Sequence, residues 1–293
     1  MIQVANELPE NCVLSGDICL IGAGAAGIAI ALELAASGLE VILLEAGDRE
    51  PSASTQDMYA GEVVDERLHS PPDRYRQRRF GGTTTIWGGR CVPFDAIDFE
   101  ARDFIADSGW PFTLSELAPY YPRANRLCEA GRFEYTAETA FEMPLPPMIE
   151  NFHSSNFTSN TLERFSCPTD FGARYGKKLK AARNLRVILH ANVTAIQLDA
   201  AGGRVQSATA RTLTGRSFSV RCGQFVLATG GLEVARLLLA NRDVQPNGIG
   251  NDCDVVGRYY MCHLVGTLGT LWVNGFLSSV CHGYDISDEG VYC

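Results

Sequence analysis

Apolar runs of two different lengths dominate the first part of the chain. The run 18–21 is followed by a glycine-rich stretch at 22–27, then by a longer apolar stretch, and then by a second short run at 41–44. Short apolar runs bounded by turn residues are typical of buried strands, whereas the longer stretch suits a helix. Residues 17–46 are therefore predicted to form a strand–helix–strand unit, after a short leader at 1–16 that packs on the domain or frays.

The middle of the chain breaks this regular pattern. Residues 47–78 are polar and contain several prolines, so little regular structure is expected there. Thr113 and Glu116 match a capping box, which predicts the start of a helix over about 114–130. Residues 131–173 are predicted to be an irregular insertion.

Patterning typical of strands returns near residue 185. Short strands separated by turn residues are predicted at 185–190, 192–198, 204–212 and 216–222. A buried strand at 224–230 then ends in a Gly-Gly turn and leads into an apolar helix at 232–241. Strand character is present again at 264–273. This order predicts an α/β fold in which a β-meander returns to a last parallel strand.

The glycine-rich turn gains meaning from its surroundings. Gly22, Gly24 and Gly27 form a G-x-G-x-x-G pattern directly after a predicted strand, and Glu45 follows at the end of the next strand. Such glycines allow a tight turn, close approach to a pyrophosphate and close helix packing. The pyrophosphate is expected to lie at the helix N-terminus, where free N–H groups favour an anion. Glu45 is expected to accept hydrogen bonds from an adenosine ribose, so the unit is predicted to be Rossmann-like.

A second glycine-rich loop occupies residues 79–90. Two Gly-Gly pairs flank a hydroxyl-rich stretch that ends in Ile86 and Trp87. Glycine permits positive φ and close backbone approach, and successive backbone N–H groups in such a loop can hold an anion. Because Ile86 and Trp87 are apolar, the loop is predicted to face a ligand.

The bulk composition limits the classes of function. The 293 residues carry a formal net charge of -9, with 46% hydrophobic and 20% charged residues, which is ordinary for a globular protein. No basic stripe is available for nucleic acid, since the one basic cluster, 74–79, is short. The apolar segment 18–39 contains four glycines and Glu33, so it is expected to belong to the core and not to span a membrane.

The cysteines and the N-terminus bear on the compartment. The 10 cysteines form no CxxC pair, so neither a metal site nor a redox dithiol is expected. Residues 1–15 lack the basic start and apolar core of a secretory signal. Abundant cysteine without a pattern or a signal is typical of a reducing compartment, and a cytoplasmic location is predicted.

The long interval between the first unit and the return strand at 224–230 favours FAD over NAD as the bound dinucleotide. An NAD domain continues as regular βαβ repeats, whereas this split arrangement suits FAD. In its motifs the chain resembles the glucose–methanol–choline (GMC) flavoprotein oxidoreductases, as the N-terminal portion of such an enzyme. The stretches that carry the resemblance are 21–27 with 44–47, 81–89, 228–239, and 250–258 with Met261 and His263.

The resemblance implies a set of residues that bind FAD. They are Gly22, Gly24, Ala25, Ala26, Gly27, Glu45, Ala46, Gly81, Gly82, Thr83, Thr84, Thr85, Trp87, Gly88, Val193, Thr229 and Gly230. Val193 matches a position whose backbone contacts adenine. Ile86 stands where some family members carry a histidine that links FAD covalently, so non-covalent binding is expected.

The resemblance also implies a reaction. A CH–OH group of an alcohol or a sugar is oxidised to a carbonyl by hydride transfer to flavin N5, and the electron acceptor is left unidentified. Trp87 resembles the carbohydrate-oxidising branches of the family. Histidine suits the base that removes the hydroxyl proton. In the family this base lies in a C-terminal segment, which is expected beyond Cys293, so the chain is expected to be truncated before it.

Two other functions stay open at this point. One is a non-catalytic or degenerate FAD-binding protein. The other is an aromatic hydroxylase, which is disfavoured because no Gly-Asp pair followed by a helix occurs after residue 224. The predicted domains are a discontinuous FAD-binding domain at 1–60 and 185–262, an insertion over the flavin at 61–184, and the start of a mixed α+β substrate domain at 263–293.

Overall fold

The computed structural model describes residues 1–143, 148–149 and 151–263, with isolated positions after residue 263. The strands are β1 (Ile2–Val4), β2 (Val13–Ile21), β3 (Val41–Leu44), β4 (Arg90–Cys91), β5 (Arg164–Phe165), β6 (Leu185–Leu189), β7 (Asn192–Leu198), β8 (Val205–Arg211) and β9 (Ser217–Leu227). The α-helices are α1 (Ala25–Leu34), α2 (Ala53–Gln56), α3 (Leu114–Leu117), α4 (Tyr121–Cys128), α5 (Phe171–Ala181) and α6 (Gly231–Ala240). Half of the positions in the strand predicted at 264–273 lie outside the described residues, and the described half is not assigned to a strand.

A mixed sheet in the order β1-β6-β3-β2-β9-β8-β7 forms the core of the fold. Strands β1, β6, β3, β2 and β9 run parallel, and β8 and β7 continue the sheet as an antiparallel meander. All four residues of β3 are buried, and so are Cys19, Leu20 and Ile21 of β2. Parallel strands that are covered on both faces have continuous apolar runs in their sequences. The predicted strand–helix–strand unit is confirmed as β2, α1 and β3.

Strand β9 differs from the prediction. The sequence predicted separate strands at 216–222 and 224–230, but one strand runs through Ser217–Leu227. It pairs with β8 in its first half and with β2 from Ser219 to Leu227. Gly223 does not end the strand because ladder hydrogen bonds to β2 continue on both sides of it.

The N-terminal residues pack on the domain as a strand. Ile2–Val4 pairs in parallel with β6, and β2 already begins at Val13. The Met1 ammonium group donates a hydrogen bond to the Leu185 carbonyl at 2.8 Å, and Ala5 is buried in the core. Pairing with the sheet edge supplies the hydrogen bonds that a free leader would lack.

The chain divides into two compact units. The first contains 1–86 and 170–263, and the second contains 87–169 and 264–293. Residues 61–86 and 170–184 thus pack with the first unit, whereas the sequence placed them in the insertion. The physical reason is local: α5 packs beside α1, and Phe171 N–H donates to Thr84 Oγ1 at 3.1 Å. The domain boundaries drawn from the sequence, 1–60 with 185–262, 61–184 and 263–293, stay a prediction.

In the second unit, the helix predicted at 114–130 is divided. Helix α3 begins with the predicted capping box, in which Thr113 N–H donates to Glu116 Oε2 at 2.8 Å. Pro119 then lies in a 3₁₀ turn, Ala118–Tyr120, and helix α4 follows and ends at Cys128. Proline has no N–H to donate and its ring clashes with the preceding turn, so one continuous helix is not formed.

Close backbone packing fixes the turn between β2 and α1. Gly22 has φ +103°, and a β-carbon there would come within 2.6 Å of the Ala228 carbonyl oxygen. A β-carbon on Gly27 would lie 1.9 Å from the Gly22 carbonyl oxygen. No side chain fits at these positions, so the glycines let α1 rise directly from the edge of the sheet.

We expect Gly27→Ala to lower the free energy of unfolding by about 1–3 kcal/mol, because α1 must shift to admit a methyl group. Urea unfolding followed by circular dichroism measures this loss. Gly203→Ala is the matched control, since no atom lies within 4 Å of a β-carbon there. Equal stability of the two variants would contradict the packing explanation.

Candidate active site: a dinucleotide pocket

A pocket of about 500 Å³ lies within the first unit, at the carboxyl ends of β2, β3 and β9. Ile21, Glu45 and Thr229, at or just after these strand ends, all line it. In parallel sheets this edge is where ligands bind, because the loops after neighbouring strands diverge there and leave a crevice.

The N-terminus of helix α1 forms one wall of the pocket. Gly24, Ala25 and Ala26 line it, and Gly24 is the N-cap of the helix. The first N–H groups of a helix have no intrahelical acceptor, and the first turn of α1 carries no acidic side chain. This wall therefore offers N–H donors and the positive end of the helix dipole to an anion.

Glu45 follows β3 directly and forms a second wall of the pocket. Its side chain is buried, with 6% of the residue exposed. Oε2 accepts a hydrogen bond from Ala23 N–H at 2.8 Å, and Oε1 accepts one from Gly47 N–H at 2.8 Å. Each carboxylate oxygen can accept a further bond. Glu45 thus fixes the turn after β2 and still has acceptor capacity for a ribose hydroxyl.

The second glycine loop meets the first one at the pocket. Gly81 N–H donates to the Ala23 carbonyl at 2.9 Å. A β-carbon on Gly82 would come within 2.8 Å of the Gly24 Cα. Thr83 and Thr84 of the 3₁₀ turn Gly82–Thr85 line the pocket. The two motifs therefore form adjoining walls, and only backbone lies where they touch.

Helix α6 supplies a wall that carries charge. Glu233, in its first turn, is 7% exposed. Its Oε1 accepts a hydrogen bond from Arg76 Nη1 at 3.1 Å, its Oε2 accepts one from Arg78 Nη1 at 3.4 Å, and Arg236 Nη2 also donates to Oε2. One carboxylate therefore holds a guanidinium group of its own helix and two from a distant segment.

Tyr59 and Asn192 complete this charged wall. The Arg76 guanidinium lies 4.0 Å from the centroid of the Tyr59 ring, and that of Arg78 lies 5.1 Å from it. Burial raises the pKa of the Tyr59 hydroxyl. Arg78 Nη2 donates to Asn192 Oδ1 at 3.1 Å, directly beside Val193. Arg78 thus connects α6 to the start of β7.

Most of the residues that the resemblance implied for FAD meet at this pocket. Those that line it are Gly22, Gly24, Ala25, Ala26, Glu45, Ala46, Gly82, Thr83, Thr84, Val193, Thr229 and Gly230. Gly27, Gly81 and Thr85 are not among the lining residues. The Thr85 side chain is used within its own turn, where Oγ1 donates to the Gly82 carbonyl at 2.9 Å. Trp87 and Gly88 belong to the second unit, where Trp87 Nε1 donates to the Thr169 carbonyl at 3.0 Å. Their roles toward FAD stay predictions.

The sequence prediction missed the charged wall. Tyr59, Arg78, Asn192, Glu233 and Arg236 line the pocket but were not among the predicted site residues. The α6 residues lie at helical spacing, so a periodicity signal was present for that face. Tyr59 and Arg78 come from a stretch with no regular pattern, and no sequence signal indicated them.

The pocket fits FAD. Thr229 Oγ1, Arg78 Nε and Arg79 Nε are buried polar atoms without a hydrogen-bond partner, and all three residues line the pocket. A dinucleotide supplies phosphate, hydroxyl and ring-nitrogen groups that match such atoms. The α1 N-terminus suits the pyrophosphate, and Glu45 suits the adenosine ribose.

Two further findings concern the described ranges alone. Within them, no group of three or more His, Cys, Asp or Glu side chains is placed to hold a metal ion. None of the helices in the same ranges has the length and apolar character needed to cross a membrane.

Comparison with known proteins identifies the class. The model of the FAD dependent oxidoreductase family matches residues 17–249, which include every element around the pocket. The chain therefore belongs to the FAD dependent oxidoreductase family.

Curated relatives confirm the resemblance to GMC-type oxidoreductases. The chain is 29% identical to paromamine 6′-oxidase of Streptomyces fradiae (83% of this chain, 52% of the relative). It is 27% identical to the fructose dehydrogenase large subunit of Gluconobacter japonicus (87% and 59%). A GMC-type oxidoreductase of Sinorhizobium fredii is 31% identical over 136 residues (43% and 26%). The chain thus spans about half the length of the first two relatives.

We expect Glu45→Gln to lower the free energy of unfolding by about 1–3 kcal/mol, because one carboxylate oxygen becomes an NH₂ group and a buried backbone N–H loses its acceptor. Thermal or urea unfolding of the ligand-free protein measures the effect. Glu40→Gln, at an exposed position, is the control and should unfold like the wild type. The anchoring role of Glu45 is wrong if both variants lose the same stability.

Proposed function

We propose that this chain holds the FAD of an oxidoreductase that converts a CH–OH group of an alcohol or a sugar to a carbonyl. The observation that carries the proposal is the convergence of both glycine motifs, Glu45 and Thr229 on one pocket at the carboxyl edge of the sheet. The reaction is supported by the relatives, which are named for paromamine and fructose. Both compounds carry CH–OH groups.

The residues of this chain bind and orient in such a reaction. When bound, FAD supplies the acceptor for the hydride that leaves the alcohol carbon, while the hydroxyl proton goes to a base. The N–H groups of α1 balance the pyrophosphate charge, and Glu45 accepts from the ribose. Gly82 keeps its side of the pocket free of side-chain atoms, so the dinucleotide can pass close to the backbone.

FAD is held non-covalently in this proposal. Ile86 follows the 3₁₀ turn Gly82–Thr85 and has no atom that could bond to a flavin. We expect acid precipitation of the holoprotein to release all of its flavin into the supernatant, as measured by flavin absorbance. Flavin that stays with the precipitated protein would contradict non-covalent binding.

The class of substrate is tested with the native FAD-loaded protein that contains residues 1–293. Hexoses, amino sugars and simple alcohols are mixed with it in the absence of oxygen, and the flavin absorbance is followed. We expect at least one of these compounds to bleach the flavin, because hydride transfer reduces it. The deoxy analogue of that compound, which lacks the oxidised hydroxyl, should leave the absorbance unchanged.

Three outcomes would count against the proposal. Bleaching by amines or amino acids, with none by hydroxyl compounds, would assign another reaction. A holoprotein that contains FAD but is reduced by none of the compounds would favour the non-catalytic alternative. A protein that binds no FAD would remove the basis for both.

A further inference from the structure

The charged wall contains more guanidinium groups than carboxylates. Glu233 is the common partner of Arg76, Arg78 and Arg236. The side chains of Arg76 and Arg78 are only 16% and 10% exposed. Guanidinium groups this close repel one another in surroundings with little water, and a carboxylate among them offsets that repulsion. Glu233 is therefore what allows Arg78 and Arg236 to line the pocket with Arg76 close behind them.

Arg78 and Arg236 are the arginines of the cluster that line the pocket, and Arg78 is the more buried of the two. Its Nη1 donates to Glu233, its Nη2 donates to Asn192, and its Nε has no partner. Because Glu233 and Asn192 hold the two ends of the planar fork, the guanidinium has a fixed orientation next to Val193. A planar cation with a spare N–H donor suits the edge or face of an adenine ring.

Glu233 has less acceptor capacity left than Glu45. Oε1 is used by Arg76, and Oε2 is shared by Arg78 and Arg236. Three charged donors thus hold the carboxylate, and its main effect on a ligand is expected to pass through the arginines. This distinguishes it from Glu45, whose oxygens accept only one backbone hydrogen bond each.

We propose that Glu233 is a positioning residue for the adenosine half of the cofactor: it locks Arg78 in place and thereby favours FAD over FMN. This inference rests on the proposed function, because it takes FAD as the ligand. FMN contains the flavin and one phosphate but lacks the adenine ring that Arg78 is proposed to contact. ADP contains that half without the flavin.

The test is calorimetric titration of Glu233→Gln with FAD, ADP and FMN. Removing the negative charge frees Arg78, so we expect affinity for FAD and ADP to fall about tenfold. Affinity for FMN should change by less than about twofold. Glu163→Gln is the matched control, because it removes the carboxylate of an exposed ion pair with Arg90 in the second unit. This control should bind all three ligands like the wild type.

If Glu233→Gln does not fold, a second variant tests the same contact between Glu233 and Arg78. Arg78→Lys keeps the positive charge but has one ammonium nitrogen in place of the two that reach Glu233 and Asn192, so it should show the same selective loss. Where both single variants fold, the double variant should bind FAD no more weakly than either, since both changes remove one coupled interaction.

The outcomes separate this inference from the proposed function. Equal weakening for FAD, ADP and FMN would show a general structural role and overturn the inference. Unchanged FAD affinity in a folded variant would overturn it as well. If the wild type binds no FAD, the proposed function fails first.

Discussion

Backbone meets backbone where the turn after β2 approaches the loop before Gly82, and the pocket depends on that contact. A β-carbon on Gly82 would reach the Gly24 Cα, and one on Gly27 would overlap the Gly22 carbonyl. Because side chains are absent at these points, helix α1 can begin at the edge of the sheet with its N–H groups uncovered. Thr83, Glu45 and Thr229 form the other walls of the pocket around this carboxyl edge of the sheet.

The two buried carboxylates of the pocket act in different ways. Glu45 accepts hydrogen bonds from backbone N–H groups, so its charge stabilises a turn and leaves acceptors for a ligand. Glu233 is surrounded by guanidinium groups, so its charge balances cations and sets their positions. Burial alone does not distinguish the two residues; the identity of the donors does.

Local patterns predicted the parts of the fold in which contacting residues are close in sequence. The unit from β2 to β3 and the capping box of Thr113 are examples. The pairing of β1 with β6 and of Arg78 with Glu233 joins distant segments, and spacing carries no information about such partners. The segment that contains Tyr59 and Arg78 seemed irregular by composition. It is held instead by tertiary contacts, such as those of the Gln56 side chain with the Asp73 and Arg76 carbonyls.

Strand β9 is made last among the described strands of the main sheet, yet it lies between β2 and β8. A growing chain on the ribosome therefore exposes one unpaired edge of β2 until Leu227 has emerged. Unpaired strand edges attract other chains and chaperones. Contacts between residues so far apart in sequence also form slowly. Since α6 follows β9, the charged wall of the pocket is completed only after nearly all of the first unit has been synthesised.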